Sequence, residues 1–171
     1  MFLAKQHKTY TSKVKEIPLE ALEILQTGSF AYLGTIEPDC DPHLTAMFFL
    51  WDDDSKSIYL ISTKTSRKVA NIRRNTRVCV TVDRRDPKSP ARNSGVMIQG
   101  RAQLVEMQIV DSLVMVNFLD KYMHFLGPGY PMGSRIAIQV RPGTISFWKG
   151  AKFFKWRNPK KSIRARVVHG F

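Results

Sequence analysis

From Phe30 onward the chain reads as a series of β-strands joined by short turns, and this rhythm limits the possible folds more than any other feature. In Arg77-Val-Cys-Val-Thr-Val-Asp83, Val78, Val80 and Val82 alternate strictly, the period of a strand with one buried face. Phe30–Ile36 ends at a turn rich in Pro and Asp, Glu37 to Pro42. His43–Trp51 and Ser57–Thr63 flank Asp52-Asp-Asp-Ser55 and read as a hairpin. Gly95–Val105 and Arg135–Arg141 follow, and Pro142-Gly143 is expected to turn the chain into Thr144–Trp148. One helix precedes the series and two interrupt it. Ile17–Gln26 starts near Pro18 and stops at Gly28; Ser66–Asn75 puts Val69 and Ile72 on one face; Glu106–Leu126 carries Ile109, Leu113 and Val116 at helical spacing before Gly127-Pro-Gly129. About six strands with short connections predict a mainly β, antiparallel barrel with helices packed outside.

A chain of 171 residues with 43% hydrophobic and 24% charged residues is large enough for one well-packed core. Cys40 and Cys79 cannot form a disulfide framework and read as free thiols. No window approaches the ~18 apolar residues of a membrane span. Met1 to Lys15 lacks the apolar stretch of a secretory signal, so a cytoplasmic protein is expected. The net charge of +13 is uneven: residues 17–63 are acidic, and the excess lies in residues 64–101 and 141–171. Such blocks suit an anionic partner, a phosphorylated ligand or simple solubility. The expected organisation is a basic arm over residues 1–16, one domain over 17–157 and a basic tail over 158–171.

No nucleophile elbow, phosphate-binding glycine loop, zinc-protease motif or paired cysteines are present, so hydrolase, nucleotidase and zinc readings lack support. His7, His43, His124 and His169 have no ligand spacing, and Asp52–Asp54 reads as a solvated turn; no metal is expected.

The informative stretch is Ser62-Thr63-Lys64-Thr65-Ser66-Arg67-Lys68, where a strand ends and a helix begins. Thr65 or Ser66 can cap the helix, and first-turn N–H groups stay unpartnered. Such a start favours anions, yet Arg67 and Lys68 occupy the first turn. Two cations beside free N–H groups and hydroxyls make sense around a phosphate.

The run Ile58 to Val82, with Ser66-Arg-Lys68 opening a helix that ends in Asn75-x-x-Val78, resembles the pyridoxamine 5′-phosphate oxidase-like, FMN-binding split-barrel family. Leu33–Thr45, Val96–Ala102 and Ile145–Gly150 are similar to its opening hairpin, its strand ending in Gly-basic-Ala and its late strand with a flavin-adjacent Trp. The resemblance implies a six-stranded split β-barrel forming a homodimer with flavin sites at the interface. It implies that Ser62, Ser66, Arg67 and Lys68 hold the FMN phosphate, that Thr63 is a further cofactor contact, and that the backbone of Thr45, Ala46, Met47 and Phe48 lies along the ring. Gln99 from the partner chain, Trp148 and Arg157 are the remaining expected cofactor contacts. The chain departs from the oxidases in lacking bases over Leu44–Phe49 and a closing Arg-x-x-Pro. Pro42–Phe49 and Asn71-Ile-Arg-Arg74 are closer to members that use the deazaflavin coenzyme F-420.

The first functional reading is therefore an FMN-dependent oxidoreductase acting on a small molecule through flavin N5, with no obligatory acid or base identified. The second keeps the barrel and substitutes coenzyme F-420, whose polyanionic tail would use the Arg73, Arg74, Arg77, Arg84 and Arg85 excess. The third is a non-enzymatic, basic anion- or nucleic-acid-binding module, with Phe153, Phe154 and Trp156 among Lys149, Lys152, Lys155 and Arg157; nucleic acid is the least favoured partner.

Overall fold

The computed structural model describes residues 11–127 and 134–159. The first ten residues of the basic arm, His7, and the tail from residue 160 with His169 lie outside the described residues. In chain order the elements are β1 (Thr11–Val14), α1 (Leu19–Thr27), β2 (Phe30–Ile36), β3 (Pro42–Asp52), β4 (Ser57–Thr63) and α2 (Arg67–Arg74). Then come β5 (Arg77–Arg84), β6 (Ser94–Glu106), α3 (Ser112–Leu126), β7 (Arg135–Lys149) and β8 (Lys152–Arg157).

The alternation in sequence becomes a closed antiparallel barrel. The strand order β7-β4-β3-β2-β5-β6 is closed by pairing of β6 with β7, giving the expected six strands. β8 adds to the free side of β7, and β1 runs parallel to β8. The inward rows fill the barrel with branched and aromatic side chains: Leu33, Phe49, Leu60, Val80, Ile98, Ile138 and Ile145 are all essentially inaccessible to solvent. Closure leaves the six barrel strands without a free edge among themselves and leaves one face of each strand for other uses. In the loop between β5 and β6, the Asp86 carboxylate accepts from the Lys88 and Ser89 amides before a single turn of 3-10 helix, Pro90–Arg92.

Two expectations need correction. Pro142-Gly143 does not turn the chain, because β7 runs unbroken through it. The register between β6 and β7 shifts at Gln99/Gly100, and this irregularity accommodates Pro142, which has no N–H to donate. Gly100 is required there: a Cβ would lie 2.3 Å from the Arg141 carbonyl oxygen. The long helix also starts later than expected. Met107–Ile109 forms a 3-10 turn, and α3 begins after Asp111, whose carboxylate accepts from the Leu113 amide at 2.8 Å. Its buried row is Val114, Phe118 and Tyr122, while Ile109, Leu113 and Val116 face outward. Both rows have helical spacing, so periodicity alone does not choose between them.

Candidate functional site

β4 delivers Ser62 and Thr63 to one end of the barrel, and a tight turn closed by Ser66 N–H to Thr63 C=O (3.1 Å) starts α2 beside them. Ser66 occupies the N-cap position, but its hydroxyl lies 2.9 Å from the Ser62 hydroxyl and makes no cap hydrogen bond. The first-turn N–H groups are therefore left without a side-chain acceptor, which makes this helix start attractive to an anion. At the other side of α2, Asn71 Nδ2 donates to the buried Thr35 hydroxyl at 3.1 Å and ties the helix to β2.

In front of this helix start lies a cavity of about 260 Å³. Its floor is Thr45, Ala46, Met47 and Phe48 of β3, beside Ile61, Ser62 and Thr63 of β4. Phe118 and Leu126 of α3 and Phe30 of β2 form an apolar wall, and Lys68 and Arg135 are its cations. The Phe48 ring belongs to an aromatic group with Phe30 (5.0 Å between centroids), Tyr122 (4.4 Å) and Phe125 (5.9 Å). An aromatic and aliphatic chamber with cations at one end suits a planar ring bearing an acidic group.

The electrostatics sharpen this. Burial pushes the Lys68 ammonium below the usual lysine range, and no described carboxylate pairs with it. A partly desolvated cation with no ion-pair partner is the group that an incoming anion relieves. Lys64 is already committed to Glu106 at 2.6 Å. Arg67 reaches Glu37 at 3.3 Å, is largely exposed, and does not line the cavity. Arg135 Nη1 donates to Thr63 Oγ1 at 3.3 Å.

Seven of the expected cofactor contacts therefore converge on one cavity: Thr45, Ala46, Met47, Phe48, Ser62, Thr63 and Lys68. Ser66 adjoins through Ser62, and Arg67 stands outside. Gln99, Trp148 and Arg157 do not reach it. Gln99 is opposite Thr144, and Thr144 is opposite Arg157, so they form one row across β6, β7 and β8. Trp148 lies four residues along β7 on the same face, with its indole across Gly95. Gln99 instead borders a separate recess of about 660 Å³. Arg135, Phe118, Phe30, Ile61 and Leu126 were not legible as site residues. Arg135 arrives only through the pairing of Thr63 with Arg135, a contact between residues distant in sequence.

Of the aromatics in the basic β8, Phe154 stacks near Phe147 at 5.7 Å, and Trp156 is buried with its Nε1 donating to the Lys15 carbonyl. Only Phe153 remains exposed, which is a poor stacking platform for bases. No helix among the described residues is long and apolar enough to cross a membrane.

Among solved structures, an F-420 reductase is 26% identical over 78% of this chain and 99% of its own, with a TM-score of 0.60. A Listeria innocua protein named for pyridoxamine 5′-phosphate oxidase is 26% identical over 75% of this chain and 94% of its own, with a TM-score of 0.59. A conserved Mycobacterium tuberculosis protein at 23% identity and a TM-score of 0.62 spans 94% of this chain and 98% of its own, a likeness of fold alone. No curated protein matches the chain in sequence. The sequence profile of pyridoxamine 5′-phosphate oxidase matches residues 17–149, and on that match the chain belongs to the pyridoxamine 5′-phosphate oxidase family of split barrels.

Proposed function

We propose that the cavity before α2 is half of a flavin-type cofactor site and that the protein is an FMN-dependent oxidoreductase acting on a small molecule. The observation that carries this is the half-buried Lys68, without an ion-pair partner among the described residues, beside an uncapped helix start and an aromatic-lined chamber. Bound there, such a cofactor supplies hydride chemistry at its ring. The chain supplies the rest. Lys68, the Ser62 and Ser66 hydroxyls and the α2 amides hold the phosphate; Arg67, now on Glu37, is within the same turn and available to join them. β3 from Thr45 to Phe48 fixes the plane of the ring, and Phe118 with Phe30 excludes water from one side.

A volume of about 260 Å³ is below the roughly 300–1,000 Å³ of complete small-molecule pockets, which fits a site shared by two protomers. In that arrangement the partner offers its Gln99, Trp148 and Arg157 face. The exposed apolar residues Leu44, Leu113, Val116 and Met123 are surface that a homodimer can cover. Light scattering is expected to give twice the 19.6 kDa chain mass; a stable monomer with bound cofactor would contradict the shared site.

The similarity to an F-420 reductase over 99% of that chain favours a second reading, coenzyme F-420 in the same cavity. The absorption spectrum of the purified protein, followed by mass spectrometry of the heat-released ligand, distinguishes the two. A colourless protein that takes up neither cofactor would refute both.

A further inference from the structure

The outer face of the barrel carries a row of like charges. Arg77 at the start of β5 stands directly opposite Arg101 of β6, and Arg101 directly opposite Arg141 of β7. Side chains so paired project to the same face about 4.5–5.5 Å apart at Cβ, and like charges in that relation destabilise a sheet. All three are exposed, and among the described residues none is paired with an acid. Their side-chain partners are neutral: Arg101 donates to Thr76 Oγ1 at 3.0 Å and Arg141 to Gln139 Oε1 at 3.5 Å. Beside the row is the recess of about 660 Å³, whose lining includes Arg77, Arg101, Gln99 and Thr144. It shares no lining residue with the cavity before α2.

A surface built for solubility intersperses its charges, whereas these are aligned at strand spacing next to a concavity. We propose that the row and its recess bind a small molecule carrying two or more phosphate or carboxylate groups. Strands lie about 4.7–4.9 Å apart, so three rungs span roughly 10 Å, the reach of a short chain of anionic groups rather than of one. Each group bound there replaces repulsion between neighbouring guanidiniums with charge-assisted, bidentate hydrogen bonds. In the proposed homodimer the Gln99 edge of this recess turns toward the partner's cofactor cavity, and the arginine row lies beyond Gln99 on the side away from Trp148; the assignment goes beyond the cofactor reading.

Calorimetric titration of the full chain at low ionic strength tests this, with inorganic tripolyphosphate and orthophosphate as probes. Tripolyphosphate is expected to bind at least roughly tenfold more tightly than orthophosphate, and Arg101→Gln to lose about tenfold or more of that affinity. Arg141→Gln, at the end of the row, is expected to lose severalfold, and it carries the test if Arg101→Gln does not fold. Lys68→Gln, which removes the anion site at the α2 start, is expected to keep the tight tripolyphosphate binding that Arg101→Gln loses. Without ligand, the melting temperature of Arg101→Gln is expected to equal or exceed that of the wild type. Equal affinities for wild type, Arg101→Gln and Arg141→Gln would overturn the proposal. So would a loss confined to Lys68→Gln, which would put the anion in the cofactor cavity. A single-stranded oligonucleotide that displaces tripolyphosphate, and that Arg101→Gln no longer binds, would overturn the assignment to a small molecule.

Discussion

Replacing Tyr122 with Phe removes one oxygen that completes the sheet where β2 runs out. β2 begins at Phe30, paired with Phe48, so the next β3 residue has no β2 strand partner. The Tyr122 hydroxyl takes that place: it accepts from the Phe49 amide at 3.0 Å and lies 2.6 Å from the Phe49 carbonyl and 2.9 Å from that of Ser29. Burial pushes the phenol up to about 12, against the opposing effect of its hydrogen bond to Phe49, so it stays protonated throughout ordinary assays. The ring packs on Phe48 at 4.4 Å and Phe118 at 5.0 Å and is unaffected by the change, so no cavity term enters. The Phe49 carbonyl keeps Lys121 Nζ at 3.2 Å, and the cost falls mainly on the buried Phe49 N–H. An unsatisfied buried donor costs about 1–3 kcal/mol, and for a chain of this size that is a drop of about 2–12 °C in melting temperature. Urea unfolding of wild type and Tyr122→Phe, with equal m-values, measures it. A variant within 0.3 kcal/mol of the wild type, taking ~0.3 as the error of such comparisons, would refute the claim that this hydroxyl closes the sheet.

Burial pushes the neighbouring Lys121 amine down to about 8 from its ordinary 10.5, although the charge sits 4.3 Å from the Phe49 ring centroid. Between those values the unfolded chain binds more protons, so stability rises with pH through that window, and below it the desolvation cost is present in full. Lys121→Met is therefore expected to gain about 1–2 kcal/mol at pH 7, discounted for partial exposure, and to lose that advantage as pH rises toward 10. Thermal melts across pH 7–10 check this, and a pH-independent difference would contradict it. At Gly95, a Cβ would lie 2.2 Å from Trp148 Cζ2, so Gly95→Ala must push the indole aside. It is expected to destabilise by about 1–3 kcal/mol and shift tryptophan emission; an unchanged spectrum and stability would mean that the indole does not rest on Gly95.

The barrel was legible because alternation is a local signal: Val78, Val80 and Val82 announce an inward row without any knowledge of their neighbours. The phosphate end of the site was legible for a similar reason, since Ser62, Ser66 and Lys68 come from one short strand–turn–helix segment. What sequence did not supply was long-range geometry. Arg135 enters the cavity through strand pairing, and Arg67 is drawn toward Glu37 by a turn formed elsewhere. The burial of α3 was ambiguous because Leu113 and Val116 offer as good an apolar row as Phe118 and Tyr122, and only packing against β3 decides. The arginine row is likewise invisible in a one-dimensional reading, since Arg77, Arg101 and Arg141 are far apart until register aligns them.

The central claim is that Lys68 and the α2 start hold a cofactor phosphate, and fluorescence titration of FMN and riboflavin into wild type and Lys68→Gln tests it most directly. Because Lys68 is a partly desolvated cation at the positive end of a helix, its neutralisation should leave the apo protein as stable or slightly more stable. Loss of a charge-assisted contact should weaken FMN binding about ten- to a hundredfold, while riboflavin, which lacks the phosphate, should bind both proteins almost equally. Equal FMN affinity in the two proteins, or an equal loss for FMN and riboflavin, would contradict the account.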